Sequence, residues 1–184
     1  LLKALGIVPR ISNDLDFFTF SEVDPRTYLV QRARFQKLFG GIFGSDIDET
    51  QHGFIHRPSG MIIDIVADSI QNIGDFVLYG KLRTASMEDS VANKASALCS
   101  RDELKDLVDI AFLTKKKNYL LRDLEIIAEK KFGLGTVTEE KLLAELLSKR
   151  EQFVIPSEIF LRDGEANRAF VEQQIAHLIE TSSL

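Results

Sequence analysis

RISNDLDFFTF, Arg10–Phe20, places Asp14 and Asp16 on either side of a single leucine and then runs directly into aromatic residues. Side chains alternate along a strand, so the two acids would stand together on one face while Leu15 turns into the core. Like charges held that close repel. Hard divalent cations such as Mg²⁺, or Mn²⁺ in its place, take oxygen ligands and neutralise such a pair. The plain alternative for any single D-x-D is a solvated strand end.

A third acid strengthens the metal reading. MIIDIV, Met61–Val66, sets Asp64 inside an otherwise apolar run, where an ionised carboxylate costs several kcal/mol unless it is paired or metal-bound. If this strand lies beside the first, Asp14, Asp16 and Asp64 form a carboxylate cluster of the kind that serves in-line attack at phosphorus. On an edge strand Asp64 would instead face water.

Around these acids the chain has two characters. As far as Arg83, DLDFFTF, GFIHR, GMIIDIVAD and DFVLYGKLR read as strands separated by turn residues. Among them DPRTYLVQRARFQKLFGG reads as a helix, with Leu29, Ala33, Phe35 and Leu38 as its apolar positions and Gly40–Gly41 as its stop. From Ser86 onward the periodicity is helical, and the Ser86/Asp89 and Thr138/Lys141 pairs make poor capping boxes, which leaves those helix starts open. FVIPSEIFLRDGE reads as a linker before the last helix. The expected fold is α+β: a small mixed β-sheet domain over residues 1–85 followed by a helical domain over 86–184.

Composition narrows the function classes. A chain of 184 residues with 45% hydrophobic content can bury a proper core. A formal charge of −5 argues against a global basic field for nucleic acid, so an RNA would be held locally, at QRARFQK (Gln31–Lys37) or TKKKNYLLR (Thr114–Arg122). Cys99 is the single cysteine, which excludes an intrachain disulfide and suits a reducing cytoplasm. No apolar run approaches the ~20 residues of a membrane helix, so no membrane partner is expected. His52, His56 and His177 are too scattered for a transition-metal site.

Three other features bear on chemistry. GSDIDET offers Asp46-x-Asp48-x-Thr50, which superficially resembles the haloacid-dehalogenase phosphatase pattern, but a glycine-rich segment precedes it and a solvated turn explains it better. Lys94 sits among Val91, Ala92, Ala95 and Leu98, an apolar setting where a cation needs an anion, a triphosphate being one, or must snorkel outward. Asp106 and Asp109 share a helical face close to the core, and could pair with Arg101 or Lys105.

Taken in order, the R-x-S-x-D-x-D-F-F strand, the strand with Asp64, the E-D-x-x-A-N-K helix and the R-x-x-x-K-D-x-x-D helix resemble the AbiEii/AbiGii toxin nucleotidyltransferases of the polymerase-β-like superfamily. The resemblance implies a metal-dependent transferase that moves a nucleoside monophosphate from a nucleoside triphosphate to an acceptor hydroxyl, with tRNA or another RNA as acceptor and a cognate antitoxin protein as partner. It implies that Asp14, Asp16 and Asp64 hold Mg²⁺, that Arg10 and Ser12 lie at the nucleotide, that Lys94 contacts the triphosphate, and that Asp106 or Asp109 acts as base or organiser. The family's glycine-rich turn, expected before the D-x-D, is missing where this sequence opens with LLKALGIVPR. Two alternatives follow: a catalytically degenerate binding module of the same fold, or a phosphohydrolase built on DIDET.

Overall fold

The structure is a computed structural model describing residues 6–20, 25–68, 70, 72–80 and 82–182. The fold is α+β. Its contacts group into two compact units, Ser12–Gln71 and the combination of Leu1–Ile11 with Asn72–Leu184.

Unit Ser12–Gln71 holds a four-stranded mixed sheet. Its elements are β1 (Asp14–Phe20), α1 (Pro25–Phe43), a 3-10 turn at Gly44–Asp46, β2 (Ile47–Glu49), β3 (Gly53–His56) and β4 (Met61–Asp68). The strand order is β1-β4-β3-β2, with β1 parallel to β4 and the other pairs antiparallel. A parallel neighbour requires a crossover, and the stretch containing α1 supplies it. Phe39, Phe54, Ile63 and Ile65 form the core, with Phe17, Phe35 and Phe43 packed against it.

This core corrects the expected helix face. Phe35, Phe39 and Phe43 lie one turn apart, with ring centroids 5.8 and 6.1 Å between successive rings, and they face the sheet. Leu29 and Leu38 are 60% and 54% exposed instead. The helix also continues through Gly40–Gly41 to Phe43, because burying Phe39 and Phe43 outweighs the ~1 kcal/mol that each glycine costs in a helix interior. Leu15, expected in the core, is 41% exposed at the start of β1. GSDIDET is not simply a turn: Asp48 and Glu49 lie on the edge strand β2, paired with Arg57 at 2.9 Å and Arg32 at 2.8 Å.

Gly53 is held by close approach. It sits opposite Asp64 in the β3–β4 register, and an added Cβ would overlap the Ile63 carbonyl. Gly53→Ala should therefore push β3 off β4 and lower stability by about 1–3 kcal/mol, the usual penalty for overpacking, read as a lower urea midpoint.

The second unit is a helical bundle with a small hairpin. DFVLYGKLR forms β5 (Val77–Tyr79) and β6 (Leu82–Thr84), two antiparallel strands and not one, turning at Gly80 with φ of 61°. Then come α2 (Met87–Ser100), α3 (Leu104–Lys117), α4 (Leu121–Phe132), α5 (Glu139–Gln152) and α6 (Gly164–Glu180). Ser86 and Thr138 do cap α2 and α5, each side chain accepting the N–H three residues on. Half of a capping box is enough to start a helix. α3 ends at Asn118, whose φ of 55° is a left-handed conformation that asparagine tolerates.

FVIPSEIFLRDGE is a docked segment and not a free linker. Ile155 and Phe160 are buried in the helical core, and Phe160 bridges antiparallel to Arg10. The Ile11 N–H donates to the Ile159 carbonyl at 2.7 Å, and the Leu161 N–H to the Pro9 carbonyl at 2.9 Å. Val8 is buried in the same core. Among the described residues no helix is long and apolar enough to cross a membrane.

Candidate functional site

The β1–β4 register places Asp16 opposite Asp64 and Asp14 opposite Ile62. Partners in a parallel pair share a face, so Asp14, Asp16 and Asp64 stand on one side of the sheet. The other side carries Phe17, Ile63 and Ile65 against the phenylalanines of α1. Asp64 is thus on a strand flanked by β1 and β3, and not on an edge. Asp16 is exposed, while Asp14 and Asp64 are half-buried. The Ser12 hydroxyl donates to Asp14 Oδ1 at 2.6 Å, which orients that carboxylate. Among the described residues, no three His, Cys, Asp or Glu side chains already converge as a metal-holding group. The donors available on this face are carboxylate oxygens, the chemistry that suits Mg²⁺ or Mn²⁺.

In the helical unit, Arg10, Lys94, Asp106 and Asp109 form one ion-paired cluster. The two aspartates come from α3, one turn apart, and both are fully buried. Lys94 of α2 donates to Asp106 Oδ1 and lies equally close to Asp109 Oδ2, at 2.8 Å each. Arg10 grips Asp109 with a fork, Nε to Oδ1 at 2.7 Å and Nη2 to Oδ2 at 2.9 Å. Arg101 grips Asp106 in the same manner, Nε to Oδ2 at 2.7 Å and Nη2 to Oδ1 at 3.1 Å. Burial alone would raise the Asp106 carboxyl, but the hydrogen bonds and charges of Arg101 and Lys94 prevail and hold it below the ordinary carboxylate range. Lys105, the other partner considered for these acids, pairs with Glu103 at 2.9 Å.

A second buried charge was not read from the sequence. Asp89 of α2 accepts from the Ile73 N–H at 3.0 Å, the Gly74 N–H at 3.2 Å, the Ser86 hydroxyl at 2.6 Å and the Lys131 ammonium at 2.9 Å. It ties residues 73–74 to α2 and α4. An acid three residues after a capping serine was the available signal, because such a side chain can reach back toward the turn before the helix.

The remaining candidates are quieter. Asp46 and His52 are exposed, and His56 shares a hydrogen bond with Ser59 and packs on Phe43 at 4.6 Å. His177 is exposed on α6. Burial, with the charge of Glu145, pushes the Cys99 thiol up to about 11, so it is no nucleophile at neutral pH. In QRARFQK, Arg32 is committed to Glu49 and to the Thr50 carbonyl. Lys115, Lys116 and Lys117 are exposed in the last turn of α3, where they complement the helix dipole.

Comparison with known proteins gives one family match. The family model described as "Nucleotidyl transferase AbiEii toxin, Type IV TA system" matches residues 1–181. Among solved structures, JHP933 from Helicobacter pylori is similar at 18% identity with a TM-score of 0.47, over 97% of this chain and 81% of that one. No curated protein matches the sequence.

Proposed function

Because the chain belongs to the AbiEii family of nucleotidyl transferase toxins of type IV toxin–antitoxin systems, we propose that it moves a nucleoside monophosphate from a nucleoside triphosphate to an acceptor hydroxyl. The acceptor is tRNA or another RNA, and the protein partner is a cognate antitoxin. The observation that best supports transfer is the pairing of Asp16 with Asp64, with Asp14 on the same face, turned away from the phenylalanine core.

Each residue has a task in this reading. Asp14, Asp16 and Asp64 would hold Mg²⁺ or Mn²⁺, and Ser12 keeps Asp14 turned to that duty. A divalent ion bound there supplies positive charge to the phosphates and favours attack by the acceptor hydroxyl at the α-phosphorus, with pyrophosphate leaving. Lys94, whose ammonium Asp106 and Asp109 hold, would contact the triphosphate, as the resemblance implies. Asp106 is held ionised by two cations, which makes it a weak base and favours an organising role. Arg10, assigned by the resemblance to the nucleotide, acts through Asp109 on the same ammonium.

The test is transfer of label from each α-labelled nucleoside triphosphate to total RNA or protein, with and without Mg²⁺. Labelled RNA is expected with the metal, and loss of label on adding a chelator. Asp46→Ala should leave the rate unchanged, whereas a phosphohydrolase built on DIDET would lose its activity. Absence of label from every nucleotide overturns the enzymatic reading and favours the binding module.

A further inference from the structure

Among the ion-paired residues of the helical unit, Arg101 opens the R-x-x-x-K-D-x-x-D motif, yet the reaction scheme gives it no task. Its side chain is 43% exposed, yet its Nε and Nη2 both donate to the fully buried Asp106, which also accepts from Lys94. Arg10 does the same for Asp109 from the opposite direction in sequence. Each aspartate is therefore fixed by one arginine fork, and the pair together hold Lys94 through one oxygen apiece. Lys94 is the cation that the two carboxylates share.

We propose that Arg101 is a positioning residue: its fork keeps the buried Asp106 ionised and oriented, and so fixes the Lys94 ammonium midway between Asp106 and Asp109. The consequence for nucleotide binding rests on the transferase reading; the clamp itself does not. Without the fork, Asp106 Oδ2 loses its charged partner inside a dry site, and burial then favours the protonated acid. A neutral Asp106 attracts Lys94 less than Asp109 does, so the ammonium shifts toward Asp109 and Arg10. The groups facing Asp106 are Lys94 from α2 and Arg101 from the α2–α3 connection, with Asp109 one turn along its own helix; Glu103 and Lys105 pair beside Arg101. Lysine cannot reproduce a fork, which lets charge be separated from geometry.

The experiment compares the full chain with its Arg101→Gln and Arg101→Lys variants. The Asp106 carboxyl is titrated by ¹³C NMR, kcat and KM for the labelled nucleotide are measured across pH, and melting temperature monitors folding. In Arg101→Gln the Asp106 midpoint should rise by about 1–3 pH units, the acid limb of kcat/KM should move up with it, and KM should rise about tenfold with a smaller change in kcat. Arg101→Lys should restore most of the midpoint and only part of KM. An unchanged midpoint in Arg101→Gln, or a lower melting temperature with midpoint and KM both unmoved, overturns the proposal. If the parent chain transfers no nucleotide, the transferase reading falls, and the titration still decides the clamp.

Discussion

Asp16→Asn will abolish nucleotide transfer while leaving the protein folded. The side chain is exposed on β1, on the face away from the phenylalanine core, so the core does not pack against it. Asparagine keeps the size and one acceptor oxygen but removes the negative charge that, with Asp64 directly across the ladder, would bind a cation. The expected fall in kcat/KM is at least about 10²–10³-fold, the scale on which enzymes lose rate when a group stabilising transition-state charge is removed. Melting temperature should be unchanged or slightly raised, because the substitution relieves repulsion between neighbouring carboxylates. A variant that transfers label at the parental rate would remove Asp16 from the site and the carboxylate face with it.

The largest stability effect is expected at Asp89. Asp89→Ala strands the Lys131 ammonium, 1% exposed, without its carboxylate, and orphans the Ile73 and Gly74 N–H groups. Breaking a buried ion pair from one side costs about 3–5 kcal/mol, which urea unfolding resolves readily. Combining Asp89→Asn with Lys131→Met should cost less than Asp89→Ala alone, since the amide oxygen still accepts from one of the two backbone N–H groups and no charge is left buried. The pH dependence follows from the direction of the shift. Burial would raise the Asp89 carboxyl, but Lys131, Ser86 and the two backbone donors hold it below the ordinary carboxylate range. Its contribution is therefore fully present above the unfolded value and is lost as pH falls through the folded one. Asp89→Ala should flatten the acid limb of the stability curve, and a loss below about 1 kcal/mol would mean that the pair contributes little.

Much of this architecture could be read from the residues in order. Alternating acid and apolar positions marked β1 and β4, and the change from period two to helical period marked where sheet gives way to helices. The apolar positions of α1 were only partly chosen: of Leu29, Ala33, Phe35 and Leu38 the sheet keeps Phe35 and adds Phe39 and Phe43, one and two turns on, while both leucines stay exposed. The site divides in the same way. Asp14, Asp16 and Asp64 announce themselves as acids in apolar strands, but that Asp16 meets Asp64 is a matter of register, which only the fold decides. Arg101 was one of two partners the spacing offered to Asp106 and Asp109, and only the fold chooses it over Lys105. Lys131 gave no such signal: it is an ordinary cation in sequence, distinguished only by the buried carboxylate it reaches in three dimensions.

The docking of Val8–Ile11 into the helical unit also sets a timetable for synthesis. Arg10 and its partner Asp109 are 99 residues apart, so at a translation rate of roughly 5–20 residues per second the arginine is incorporated about 5–20 s before its aspartate exists. Phe160, which pairs with the backbone of Arg10, comes later still. The sheet of Ser12–Gln71 finds every strand partner within its own contiguous stretch and can close during that wait. The Val8–Ile11 segment ahead of it cannot. A nascent chain therefore carries a finished carboxylate face well before the Lys94 cluster can be assembled, and any product of interrupted translation that stops short of Asp109 lacks the helical core into which Val8 packs, leaving that segment for chaperones or proteases to find.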